Sequence, residues 1–148
     1  MGEAMRPLTR RALLLVPCVL AMVGCQPEPL EVWVTNDAGG VVITSSGDLP
    51  WRQAGASIAT VAIWPKDSGY EDRLWEIRSN RCPTNIHEVH YGVSPPDFHQ
   101  EPAAQPLVEG ADYVVWVDRC DGRQGGGTYF RMIEGRASMI LRSVARVE

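Results

Sequence analysis

Leu107-Val108-Glu109-Gly110-Ala111-Asp112-Tyr113-Val114-Val115-Trp116-Val117-Asp118-Arg119-Cys120 is the stretch that decides the fold. From Asp112 the period is two: Tyr113, Val115 and Val117 share one face, and Val114, Trp116 and Asp118 share the other. Alternation of this kind, rich in β-branched and aromatic residues, predicts a strand buried on one side. Asp121 to Gly127 follows as a glycine-rich hairpin loop, and Thr128 to Ile133 returns as the partner strand.

Outward from that hairpin the same period recurs. Leu30 to Thr35 alternates, Asn36 to Gly40 turns, and Val41 to Ser45 returns. Ser57 to Trp64 is apolar and β-branched, and Pro65 stops it. Arg73 to Ser79 sets Trp75 and Ile77 on one face and Glu76 and Arg78 on the other, and Ile86 to Tyr91 is a further strand. With 14 glycines and 11 prolines the 148-residue chain is rich in turns, and no segment has a clear helical period. About seven short strands between turn signals predict an all-β fold: a single antiparallel two-sheet β-sandwich over residues 30–148. Ala137 to Val147 fits either an added strand or a short helix packed on the sandwich.

The approach to Tyr113 sharpens this reading. Leu107, Gly110 and Tyr113, followed by Val115 and Val117, resemble the start of strand F in fibronectin type III and immunoglobulin-like domains. That resemblance implies a tyrosine corner, in which the hydroxyl bonds back to the backbone a few residues upstream. Glu109 and Ala111 stand where the fibronectin version has Pro and Thr, and Val115 stands where the immunoglobulin domain has its second cysteine. The likeness therefore concerns the fold and carries no function.

Residues 1–24 have the composition of a removed signal peptide. Arg6, Arg10 and Arg11 form a basic start, and Ala12 to Val23 is an apolar run of twelve residues. Twelve is too short for a permanent bilayer span, which takes ~20. The run ends Met22-Val23-Gly24-Cys25, which resembles the lipobox of bacterial lipoproteins. The resemblance implies lipidation of Cys25, although Met22 replaces the usual Leu. Gln26 resembles the outer-membrane sorting pattern, which implies a periplasm-facing anchor in the cell envelope. Thr9-Arg10-Arg11 also resembles the core of a twin-arginine signal, so the export route stays open. Residues 25–29 are the lipidated cysteine and a proline-rich tether, which spans only ~15 Å when extended.

The segment 75–133 resembles a pattern in small uncharacterised envelope lipoproteins. Its residues are Trp75-Glu76-Ile77, Tyr91-Gly92 with Pro96 and Phe98, Leu107 to Tyr113, and Tyr129-Phe130. The pattern implies no activity.

Composition removes several classes of function. The chain is 45% hydrophobic and 22% charged, with mean hydropathy −0.14, which is globular. Its formal charge is −4. Cleavage would take three of the 14 basic side chains and one of the 18 acidic ones, leaving 11 against 17, or −6. Nucleic-acid binding by phosphate neutralisation is excluded as an expectation, and the membrane is expected to hold this protein by lipid, not by a basic patch. With Cys18 in the apolar run and Cys25 as anchor, Cys82 and Cys120 remain as an even pair in an oxidising compartment. They are expected to form a disulfide, the alternative being two buried thiols.

No catalytic or metal-binding set, and no cofactor, is expected. His87 and His90 fall on opposite faces of a strand, so they cannot chelate one ion unless the segment is a loop that gathers them with Glu88 and Asp97. Gly55-Ala56-Ser57-Ile58-Ala59 falls short of a nucleophile elbow and leads into a strand. Acidic pairs such as Asp118 with Asp121 or Glu71 with Asp72 carry no specific glycosidase signal among so many acids. Two features point to binding. Gly92 to Pro106 is a long loop with four prolines and Phe98 at its middle, which is either a plug into the core or a contact anchor. Trp33 and Trp116 fall on outward faces, on opposite sheets, and are candidate partner contacts unless the C-terminal segment covers one of them.

The expected function is therefore a membrane-anchored, non-catalytic binding or accessory module with an envelope protein as partner. An inhibitor of an envelope enzyme, inserting the Phe98 loop, is the second expectation. An envelope hydrolase is the third.

Overall fold

The computed structural model describes residues 30–45, 57–82, 84 and 86–144, without the side chains from residue 141 onward. The signal segment, Cys25, the tether and residues 145–148 lie outside the described residues. The fold is all-β. Its strands are β1 (Val32–Asp37), β2 (Gly40–Ser45), β3 (Ile58–Pro65), β4 (Trp75–Ser79), β5 (Glu88–His90), β6 (Phe98–Gln100), β7 (Asp112–Arg119), β8 (Gly126–Ile133) and β9 (Arg136–Val144). They pair antiparallel into a three-stranded sheet, β1-β2-β5, and a six-stranded sheet, β6-β4-β3-β7-β8-β9.

β1-β2-β5 facing β4-β3-β7-β8 has the A-B-E against C′-C-F-G strand order of fibronectin type III domains. The expectation of about seven strands becomes nine among the described residues because each edge of the larger sheet gains one. β9 resolves the C-terminal ambiguity as a strand, reached through a tight hairpin in which Glu134 and Gly135 take φ of 52° and 72°. Two positive φ values in a two-residue turn match the right-handed twist of the strands they join. Glu109 secures this hairpin, its carboxylate accepting from the Glu134 and Gly135 amides at 2.5 and 3.0 Å. β6 arises inside the segment read as an irregular loop. Phe98 pairs with Ser79. Beyond β6 the backbone stays tied to β4, with Glu101 N bonded to Glu76 O and Gln105 N to Leu74 O.

The core lies between the sheets and follows the alternation. Val32, Val34, Val41, Ile43 and Val89 come from the smaller sheet; Val61, Ile63, Trp75, Ile77, Tyr113, Val115, Val117 and Phe130 come from the larger. Asn36 closes one side of the sandwich. Its side-chain amide donates to Ala137 O and accepts from Ala137 N, both at 2.8 Å, so β1 covers part of the open edge of β9.

The tyrosine corner forms. Tyr113 is buried, and its hydroxyl accepts the Val108 N–H at 2.7 Å. Tyr113→Phe removes that acceptor and leaves a part-buried amide unpaired. A loss of about 1–2 kcal/mol in urea unfolding is expected, with the far-UV spectrum unchanged.

Part of the glycine-rich hairpin loop is strand. β8 begins at Gly126, and Gly125, Gly126 and Gly127 are all buried. A Cβ on Gly126 would overlap the Leu30 carbonyl, so the incoming chain packs directly on β8 there. Leu30 is itself buried, which places the start of the domain at the end of the sandwich where β7 passes into β8.

At the same end the Cys82–Cys120 disulfide is formed, with Cα atoms 5.4 Å apart. It joins the segments that leave β4 and β7. Both strands flank β3, and Cys120 N bonds to Ser57 O just before β3 begins. The bridge is thus a staple within one sheet, unlike the inter-sheet bridge of immunoglobulin domains.

Candidate functional site

The outer face of the six-stranded sheet carries the chemistry. Three of its strands meet in register along one row: Glu76 of β4 opposite Ala62 of β3, and Ala62 opposite Trp116 of β7. Trp116 in turn faces Gly127 of β8. Neighbouring rows bring Arg78 opposite Thr60 and Thr60 opposite Asp118, then Trp64 opposite Val114 and Val114 opposite Tyr129.

Trp116 lies over the bare backbone of β8. A Cβ on Gly127 would fall 2.8 Å from its Cε3, and a Cβ on Gly125 would fall 3.2 Å from its Cζ2. A side chain at Gly127 would press on the ring, and one at Gly125 would first meet the Val117 carbonyl. Its indole N–H donates to Asp118 Oδ1 at 2.8 Å, which fixes the ring within its plane. One face of the indole therefore rests on glycine backbone, and the residue is only half-buried.

Beside this platform stands a charged cluster built from two elements. Glu76 points outward from β4, yet it is only 5% exposed. A short 3-10 turn, Tyr70–Asp72, folds Tyr70 and Arg73 over it. Arg78 Nη2 donates to Glu76 Oε1 at 2.7 Å, Arg73 Nε lies 2.7 Å from Oε2, and the Tyr70 hydroxyl donates to Oε2. A buried carboxylate is tolerated only when paired and hydrogen-bonded in this way. Burial, and then the neighbouring carboxylate, push the Tyr70 hydroxyl above the ordinary phenol range. The hydrogen bond to Glu76 raises the Arg78 guanidinium. Arg73 stacks over the Tyr70 ring at 4.9 Å, and Tyr70 meets Trp64 edge-on at 5.5 Å, so the cluster and the aromatic rows are continuous.

A cavity of about 270 Å³ opens here, lined by Arg73, Glu76, Arg78, His99 and Glu101. His99 enters from β6, opposite Arg78, with Nε2 3.6 Å from Glu101 Oε2. At the far margin Lys66 sits 5.5 Å above the Tyr129 ring. Asp112 accepts from Arg131 at 2.5 and 2.9 Å, and those bonds chiefly hold its carboxyl below the usual range.

The residues singled out from sequence fall in different places. Trp116 is at the centre of this face. Trp33 is half-buried on β1 in the opposite sheet, so the two tryptophans form no common patch. Phe98 is a correction: its side chain is 9% exposed and belongs to the core, because β6 pairs with β4 and turns it inward. Cys25 lies outside the described residues. His87, His90, Glu88 and Asp97 do not converge. His90 lies 3.7 Å from Asp37, Glu88 accepts from Thr44 at 3.4 Å, and Asp97 pairs with Arg81 at 2.7 Å. Among the described residues no group of three or more His, Cys, Asp or Glu is placed to hold a metal ion. Ser57 accepts from Thr84 N at 2.7 Å, anchoring the start of β3.

Sequence reasoning missed Trp64, Tyr70, Arg73, Glu76 and Tyr129 as parts of one face. Alternation assigned Glu76 to the outer side of β4, but nothing local shows that the β3–β4 connection folds back over it.

By fold the chain is a β-sandwich of the fibronectin type III strand order, extended by one strand at each edge of its larger sheet. No protein-family model matches it, and no curated protein or solved structure shows significant similarity to it.

Proposed function

We propose that this protein is an envelope lipoprotein, held by lipid on Cys25 in the outer membrane facing the periplasm. Its sandwich is a non-catalytic module that binds another envelope component through the outer face of the six-stranded sheet. The observation that carries the reading is the fixed aromatic and charged array of that face, with Trp116 laid on glycines beside the Glu76 cluster. Both oxygens of Glu76 are engaged by guanidinium or phenol groups, which suits a positioning carboxylate better than a general acid or base. An inhibitor inserting the Phe98 loop has no such support, because that ring is in the core.

The short tether adds to the reading. Leu30 is already packed on Gly126, so residues 26–29 leave the domain within ~15 Å of the anchor. Such confinement favours weak contacts with other membrane-held components. Cys25→Ser should move the protein from the membrane fraction to the soluble fraction of lysed cells and abolish palmitate labelling. A variant that stays with the membranes would reject the lipid anchor. Crosslinking of the wild type in intact envelopes should enrich a defined envelope component.

A further inference from the structure

The outer face combines a planar apolar platform with hydrogen-bonding groups on either side, and its charges are spent on one another. Glu76 stands beside Arg73 and Arg78, and Asp112 beside Arg131 and Lys66, while Asp118 and the pocket's Glu101 add two carboxylates, so four acidic groups meet four basic ones. What faces outward is therefore polar but carries little net field. A strongly anionic ligand would gain little there and would be repelled by the acidic excess of the mature chain.

The apolar part is also narrow. Ala62 is 1% exposed and Val114 5%, so the floor between the aromatic rings is closed, while Trp64, Trp116 and Tyr129 are each only half-buried. A stable protein partner needs an interface of ~800 Å² per side with a dry apolar centre. This face offers single ring surfaces in place of such a centre. Across two strand spacings of ~4.8 Å, the row Trp116–Ala62–Glu76 runs from a flat ring to a pocket of fixed donors and acceptors.

From this geometry we infer that the outer face binds an uncharged glycan, with one hexopyranose ring stacked on Trp116 and a ring two or three further along the chain directed into the pocket beside Glu76 and Arg78. The axial C–H groups of a pyranose form an apolar face that matches the indole. Its equatorial hydroxyls match the alternating acceptors and donors of Asp118, Thr60, Arg78 and His99. The inference rests on the proposed function above and names the ligand class of that same face.

The full-length protein in detergent micelles is titrated with chitotetraose and cellotetraose, following tryptophan fluorescence. Binding of at least one of these probes is expected. Trp116→Leu, which keeps an apolar side chain on the glycines but removes the flat ring, should weaken it at least tenfold. Trp116→Tyr should retain it within about threefold, and Trp33→Ala, on the other sheet, should leave it unchanged. A leucine variant that melts like wild type and binds like wild type would overturn the inference, as would no binding to either probe. A photocrosslinker at position 129 in intact envelopes separates the two levels. Capture of a discrete envelope protein there rejects the glycan while the face remains a binding surface. Capture of nothing, together with no glycan binding, rejects both.

Discussion

Trp75→Ala should destabilise the domain by about 3–5 kcal/mol in urea unfolding followed by far-UV circular dichroism. Trp75 is fully buried on the inner face of β4, opposite Ile63 of β3, with its ring edge-on to Tyr91 at 5.2 Å. Truncation would open a cavity in a sheet interior whose neighbours are held in register and cannot collapse into it. A loss of that size is a large share of the ~5–15 kcal/mol that holds a typical domain. Trp75→Phe should behave differently. The indole N–H is buried and finds no hydrogen-bond partner among the described residues. Phenylalanine removes that unpaired donor along with part of the ring, so the two effects oppose each other. A loss of only about 1–2 kcal/mol is expected for it. Equal losses for the two variants would show that a phenyl ring cannot fill the site, and a loss below about 1 kcal/mol for alanine would show that the ring does not support the core.

The alternation that makes Trp75 a core residue is the part of the fold most legible from sequence. Period two identified the inward set Tyr113, Val115 and Val117 and the pair Trp75 and Ile77, because one residue of slip would turn each set to solvent. The corner was implied by the resemblance of Leu107 to Tyr113 to the start of strand F, and it is legible there because its hydrogen bond is local. β6 was not legible. Only three residues long, it pairs with β4 across nearly twenty residues of chain, and the prolines that flank it, Pro95, Pro96 and Pro102, suit an edge strand as well as a loop. The start of β8 was missed for a different reason. Three successive glycines signal a turn by local propensity, and only tertiary packing against Leu30 and Trp116 explains Gly126 and Gly127 inside a strand.

The candidate site was less legible than the fold for the same reason of range. Trp116 was found because its outward direction follows from its own strand. Glu76 depends on Tyr70 and Arg73, which reach it only after the β3–β4 connection turns back over the sheet. Trp64 sits beside Pro65 at a strand end, where alternation gives little direction. Phe98 could be read either way from sequence, and the pairing of β6 decided it.

The second large effect concerns the covalent staple. Replacing both Cys82 and Cys120 by alanine should cost about 2–4 kcal/mol, since the bridge closes a ring of about 39 residues in the unfolded chain. The folded structure should persist, because Cys120 N keeps its bond to Ser57 O and the β3–β7 register does not depend on sulfur. The loss should therefore appear as a lower urea midpoint with a native spectrum, and as an equal or larger slope if the unfolded ensemble expands. Reducing the wild type should reproduce it. The ring encloses β5 and β6, each three residues long, together with the connection to β7 and β7 itself. Such short strands contribute few ladder bonds, and their closure entropy must be met before they pair. A covalent bond that shortens that search stabilises them most, so amide exchange should rise first at Val89 and Phe98 in the alanine pair. Uniform exchange across all nine strands would instead mean that the bridge acts on the domain as one cooperative unit.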